Sequence, residues 1–237
     1  MRRVLFTVVL GLVLRVAVVV AVLGGLVFGA WYFFVKGDPD PRATITETPL
    51  QTQAPGASAL DGSYVLESGG THSFVGYRVT EKLVANVAET TATGRTNNVS
   101  GTFAIAGTTV SSVTVTADLR GLKSDNSFRD GRIHSSGLES DRFPEGKFVL
   151  ADPITLPKAP APGETVTVAA TGDLTLHGVT RRVTITIEGR WDGRDLQIVG
   201  RLPIVFGDFA IKAPTAFAVA SVDDHAEMEF QLFFTRR

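Results

Sequence analysis

The sequence predicts an all-β fold, an antiparallel barrel of about eight strands, preceded by one N-terminal transmembrane helix. Two observations carry that reading. From Asp61 onward, apolar and polar residues alternate in short runs separated by turn residues, the pattern of strands with one buried face. Before Lys36 there is no alternation, only a continuous apolar stretch. The intervening residues follow neither pattern, so the chain divides into 1–36, 37–60 and 61–237.

Val16 to Val35 is twenty residues without a charge, and the apolar run reaches back to Val4 with only Arg15 inside it. At about 1.5 Å per residue, such a helix covers the roughly 30 Å hydrocarbon core of a bilayer. Trp31 and Tyr32 fall near one end, where amphipathic rings favour the membrane interface. A cleaved secretory signal is the competing reading, because Arg2 and Arg3 make a basic start. The run exceeds the about 7 to 15 apolar residues of such signals, and Phe28-Gly29-Ala30 puts a bulky ring at the upstream cleavage position. Arg2, Arg3 and Arg15 precede the uncharged span while Asp38 and Asp40 follow it, which predicts a single-pass cell-membrane protein with a cytoplasmic N-terminus and an extracytoplasmic C-terminal domain. Residues 37–60, rich in Pro, Thr, Ala and Gln, read as a flexible tether with a reach of about 25 to 30 Å.

Composition removes several function classes. The absence of cysteine excludes disulfides, thiolate metal sites, cysteine nucleophiles and a lipid-modified N-terminal cysteine. A net charge of -1 gives no basic surface for nucleic acid. His72, His134, His177 and His225 are widely spaced and form no local metal pattern, and Asp223-Asp224-His225 reads as a solvated turn. There is no Gly-x-Ser-x-Gly elbow, phosphate loop or dinucleotide fingerprint. The chain is therefore read as a non-enzyme without cofactor or metal; a hydrolase or isomerase at the barrel mouth is the runner-up, since strands can gather distant residues.

Along the domain, Tyr64 to Glu67, Phe74 to Leu83 and Gly101 to Ala106 are predicted strands. Val113, Val115, Ala117 and Leu119 then alternate with Thr114, Thr116 and Asp118. Ser124 to Glu145 lacks alternation and reads as a short helix or an irregular connection. Phe148 to Leu150 and Thr165 to Leu176 follow, and the threonine-rich run from Gly172 to Thr186 is broken once by His177-Gly178, the tip of a hairpin. Val183, Ile185 and Ile187 share one face; Asp192-Gly193 marks a turn before the strand Leu196 to Val205. In the last strand Met228, Phe230, Leu232 and Phe234 face opposite to Glu227, Glu229 and Gln231, so Ile185 and Phe230 are expected inside and Thr184 and Glu229 in water, tolerant of charge changes.

Val99-Ser100-Gly101, Arg129-Asp130, Phe143-Pro144, Phe148 and Leu174 to Val179 resemble the YceI-like family of bacterial lipid-binding proteins, and the similarity covers nearly all of Asp61 to Thr235. What the resemblance implies is a lipocalin-like barrel enclosing a polyisoprenoid tail, with isoprenoid quinones and polyprenyl phosphates as the ligand classes. On that reading the tunnel is lined by Phe74, Phe103, Val113, Val115, Phe143, Phe148, Leu174, Leu176, Ile185, Ile187, Phe206, Phe209, Met228 and Phe230. Without the resemblance these are ordinary core. Arg129, His134 and His177 are the headgroup candidates, donors to a carbonyl or phosphate; Asp130 reads as a helix cap and His177 as a turn organiser. A closed-core envelope interaction module is the alternative.

Overall fold

The computed structural model describes residues 15–26, 39–46, 60–66, 72–83, 89–213 and 219–237. It forms two compact units, Met1–Asp38 and Pro39–Arg237. In the first, residues 15–26 make helix α1, whose apolar side chains face outward; Val20 is 62% and Leu26 64% exposed. Twelve residues extend only about 18 Å. No helix among the described residues is long and apolar enough to cross a membrane. The spanning helix expected from sequence is thus not found there, and the remainder of that stretch lies outside the described residues.

Among its described residues the second unit contains thirteen strands: β1 (Gly62–Leu66), β2 (Phe74–Leu83), β3 (Glu89–Thr96), β4 (Val99–Ala106), β5 (Thr109–Asp118), β6 (Lys123–Ser124), β7 (Glu145–Leu150), β8 (Ile154–Thr155), β9 (Thr165–Leu176), β10 (Val179–Trp191), β11 (Asp195–Val205), β12 (Val219–Val222) and β13 (His225–Arg236). Eight of them run in the order β1-β4-β5-β7-β9-β10-β11-β13, and pairing of β13 with β1 closes the ring. Every pairing is antiparallel. Strand β13 divides itself between two neighbours on one side: Phe234 to Arg236 pair with β1, and Glu227 to Gln231 pair with β2. The β9–β10 hairpin turns at His177 and Gly178 with φ of 50° and 74°, the double positive φ that suits strand twist in a two-residue loop. The Thr-rich strand β3 (ETTATGRT) went unread in the sequence because apolar residues do not mark either of its faces.

The irregular stretch after β6 forms helix α2 (Ser127–Arg132) and a wide π-turn over Ile133–Gly137. Asn126 caps α2, accepting from the Phe128 and Arg129 amides at 3.0 and 3.2 Å. This corrects the expectation for Asp130, which lies inside the helix and accepts from the Ser124 amide and hydroxyl at 2.9 and 2.6 Å.

Residues 39–46 are not the free tether expected of 37–60. They lie as a strap across the outer wall of the barrel, held through their backbone. The Arg201 guanidinium donates to the Ala43 carbonyl (2.9 Å), Gln197 donates to Thr44 and accepts from the Thr46 amide (3.0 and 2.9 Å), and Arg190 donates to Thr46 (2.9 Å). Arg78 and Arg95 donate to the Asp40 and Pro41 carbonyls. Composition predicts a tether because the strap offers few apolar side chains; its binding instead uses peptide groups, which composition does not reveal.

Under the strap sits Glu229, 0% exposed, between Arg78 (3.1 Å) and Arg95 (2.9 Å). The register explains the contact: Arg201, Glu229, Gly76 and Arg95 lie in one row across β11, β13, β2 and β3. A Cβ on Gly76 would come within 2.8 Å of the Arg95 side chain, so glycine there leaves the path that Arg95 takes to Glu229. Glu229 does face outward as alternation requires, but the strap takes it out of water, and the expectation that it tolerates a charge change is corrected. Removing one partner of a buried, hydrogen-bonded ion pair strands the other charge. Glu229→Gln is expected to destabilise the fold by about 3 kcal/mol, while the exposed Thr184→Lys stays within about 0.5 kcal/mol of wild type; urea unfolding midpoints of the two variants check this.

Candidate ligand cavity

Inward side chains of the eight-stranded ring do not fill its interior. A void of about 1330 Å³, open mouth included, runs along the axis and is walled by Phe103, Val113, Val115, Phe148, Leu174, Leu176, Ile185, Ile187, Met228 and Phe230 among others. A second void of about 880 Å³ lies toward the α2 end. Val75, Leu119, Leu176 and Met228 border both, so these four apolar side chains lie between the two chambers.

Two glycines let aromatic rings lie against the barrel wall. Gly200 pairs with Phe230, and a Cβ on it would come within 2.4 Å of the Phe230 ring; one on Gly172 would come within 2.5 Å of Phe148. Flattened in this way, the two rings line the cavity without plugging it.

The structure distributes the remaining sequence candidates differently. Phe74 is turned outward, in a small cluster with Ala43 and Val199 beneath the strap and with the Arg95 guanidinium 3.9 Å from its ring centre. Its neighbours Val75, Tyr77 and Val79 face the cavities instead. Phe206 lines the second chamber from the short 3-10 turn after β11. Phe209, in the same turn, is buried in the core but borders neither void. Phe143 is also outside both, packed edge-on against His177 at 4.4 Å.

Of the headgroup candidates, the two histidines hold loops together. His134 bonds to the Ser140 hydroxyl at 2.6 Å and the Leu122 carbonyl at 3.1 Å. His177 bonds to the Phe209 carbonyl at 3.2 Å and to Glu139 at 2.8 Å, tying the hairpin tip to the turn after β11 and to the segment after the π-turn. Neither borders either of the two voids. Arg129 does, at the wall of the second chamber, but all three of its guanidinium nitrogens are engaged. Nε and one Nη meet Glu81 at 3.2 Å each, and the other Nη meets Asp125 at 2.6 Å. Burial alone would lower the Arg129 pKa; the hydrogen bonds and charge of Glu81 outweigh it and hold the guanidinium above its ordinary value.

Sequence reasoning passed over Tyr77, whose hydroxyl is buried with no hydrogen-bond partner among the described residues. Burial pushes its pKa well above the usual tyrosine value, only partly opposed by Arg129. The signal was present in FVGYRVTEKL: apolar Val75, Tyr77 and Val79 share one face of β2, while Phe74 shares the other with Arg78.

The comparisons with known proteins agree with this architecture. The YceI-like domain profile matches residues 64–234. A UPF0312 protein of Vibrio vulnificus is 30% identical over 179 residues, covering 72% of this chain and 88% of its own. One of Pseudomonas syringae pv. tomato is 30% identical over 165 residues, covering 66% and 80%. Among solved structures, a polyisoprenoid-binding domain from Saccharophagus degradans superposes with a TM-score of 0.57 at 19% identity, covering 73% of this chain and 98% of that domain. Burkholderia cenocepacia BcnA follows with a TM-score of 0.51 at 20% identity, covering 68% and 95%. With the profile spanning the closed barrel from β1 to β13, the chain belongs to the YceI-like family.

Proposed function

We propose that this protein is a membrane-anchored, extracytoplasmic, non-catalytic carrier that holds an isoprenoid lipid, a quinone or a polyprenyl phosphate, inside its barrel for storage or transfer. The observation that carries the reading is the pair of apolar chambers inside the barrel, with Val75, Leu119, Leu176 and Met228 lining both. A long branched hydrocarbon suits such walls, since each methylene taken from water contributes about 0.8 kcal/mol and few polar anchors are needed. The description of the Saccharophagus degradans domain as polyisoprenoid-binding supports the same ligand class. An envelope module with a plugged core is disfavoured by the void itself.

The anchor and the location rest on the apolar run before Lys36, on its flanking charges and on the outward-facing valines and leucines of α1. A helix with apolar residues on all sides is at home in lipid. Full-length protein is expected to stay in the membrane fraction through high-salt and carbonate washes; release of a soluble form starting near Ala30 or Leu60 would replace the anchor with a cleaved signal.

The carrier reading is tested by native mass spectrometry of protein purified gently in detergent, followed by lipid extraction. An isoprenoid is expected on the wild type, and Val115→Trp, which adds bulk inside the first chamber, is expected to displace most of it while the barrel stays folded. A wild type that stays empty in the presence of added polyprenyl lipids sinks the proposal. His177→Ala is expected to lower stability by about 1 to 3 kcal/mol, because it leaves the Phe209 carbonyl and Glu139 without their partner, yet to leave lipid occupancy unchanged; thermal melts alongside the same mass spectra check both.

A further inference from the structure

The second chamber is apolar around most of its wall, with Val79, Leu122, Ile133, Leu138 and Ile211 among its lining residues. Among the described residues its charged lining side chains are Glu81 of β2 and Arg129 of α2, and they close a seam between those two elements. The guanidinium spans the seam with Nε and one Nη each 3.2 Å from a Glu81 oxygen, and the side chains are only 12% and 9% exposed. Apolar residues of similar volume would hold two buried elements together at least as well as an ion pair does. What the pair adds is easy release: when the seam parts, both charges regain the hydration that closure cost them, so the shut and open states lie near in free energy.

The two edges of the seam are fastened differently. Glu81 belongs to β2, which is paired on one side with β3 and on the other with β12 and β13. Helix α2 has six residues, none of them buried, and its frame is local: Asn126 caps it and Asp130 turns back to Ser124. Gly131 lies within it, where a Cβ would meet nothing within 4 Å, so glycine there answers no close packing and leaves the helix weaker than alanine would. Directly after α2 the chain is held again. Ile133 and Gly137 are buried, the Leu138 amide donates to the Ile133 carbonyl at 2.8 Å, and His134 bonds to Ser140 and to the Leu122 carbonyl. Helix α2 is therefore a weak leaf between a fixed π-turn and a polar clasp.

We infer that, within the carrier role proposed above, α2 is the gate by which a lipid tail enters and leaves the second chamber, swinging about the π-turn at Ile133, and that the Arg129–Glu81 pair is its latch. Asp125, 2.6 Å from the remaining Nη and four residues before Arg129, travels with the leaf and keeps the guanidinium paired while the gate is open.

The test loads full-length protein in detergent with octaprenyl benzoquinone and adds an excess of the deuterated quinone, with the exchange followed over time, and total occupancy measured separately, by native mass spectrometry. Glu81→Gln, which takes the charge out of the latch, is expected to speed exchange about tenfold. Gly131→Ala, which stiffens the leaf, is expected to slow it about fivefold. Total occupancy is expected to stay the same in both, because a gate changes how fast the chamber fills and not how tightly it holds. An unchanged rate in either folded variant, or an altered total occupancy, overturns the gate and leaves the carrier intact. A wild type that takes up neither this quinone nor the headgroup-free hydrocarbon squalene overturns both. A fall in melting temperature identifies a Glu81→Gln protein whose whole barrel has loosened; Gly131→Ala, whose added methyl meets open space, then decides alone.

Discussion

Closure through β13 is the constraint on which the rest of this structure depends. Along one edge it pairs with β11 over its whole length, and along the other it pairs first with β2 and then with β1. That split shuts the ring and leaves no free edge at the join, as a barrel must. Because the side-chain period of a strand is two, fixing β13 fixes both surfaces at once. Met228, Phe230, Leu232 and Phe234 are committed to the lumen, while Glu227, Glu229 and Gln231 are committed to the outer wall.

The two sides of β13 then solve different problems. Inside, eight strands set a circumference wider than the inward side chains can fill, and glycines at 172 and 200 widen it further by letting Phe148 and Phe230 lie against the wall. The result is a void lined by aliphatic and aromatic groups, suited to a ligand recognised mainly by being hydrophobic. Outside, the register brings Arg201, Glu229, Gly76 and Arg95 into line, and the strap of residues 39–46 satisfies its peptide groups on that row and its neighbours. A carboxylate buried on an outer wall is stable there because two guanidinium groups and the Ala43 amide meet it.

At the α2 end, the structure assigns polar residues to architecture. His134 and His177 fasten loops, Asp130 orders the entry to α2 through Ser124, and Arg129 is locked between Glu81 and Asp125. Rigidity of this kind keeps the second chamber open under a helix of six residues, which is too short to hold its own shape. Tyr77 is what stands apart, its ring in the wall of a hydrophobic space and its hydroxyl buried without a hydrogen-bond partner among the described residues.

By itself the sequence determined the all-β class, several strands to within a few residues, the His177-Gly178 hairpin and, through the quoted motifs, the family. These are local properties: alternation, turn chemistry and short signatures are written in consecutive residues. Only the tertiary structure decided that Phe74 faces outward, that Glu229 is buried, that residues 39–46 bind the wall and that Arg129 is already paired with Glu81, forty-eight positions away. Alternation gives two faces but does not say which one a strap will cover. Size, too, misled at Phe74, where the register of Val75, Tyr77 and Val79 was the better guide. Whether the barrel is hollow was equally undetermined, because a filled core and a ligand cavity call for the same apolar residues and differ only in how far apart closure holds them.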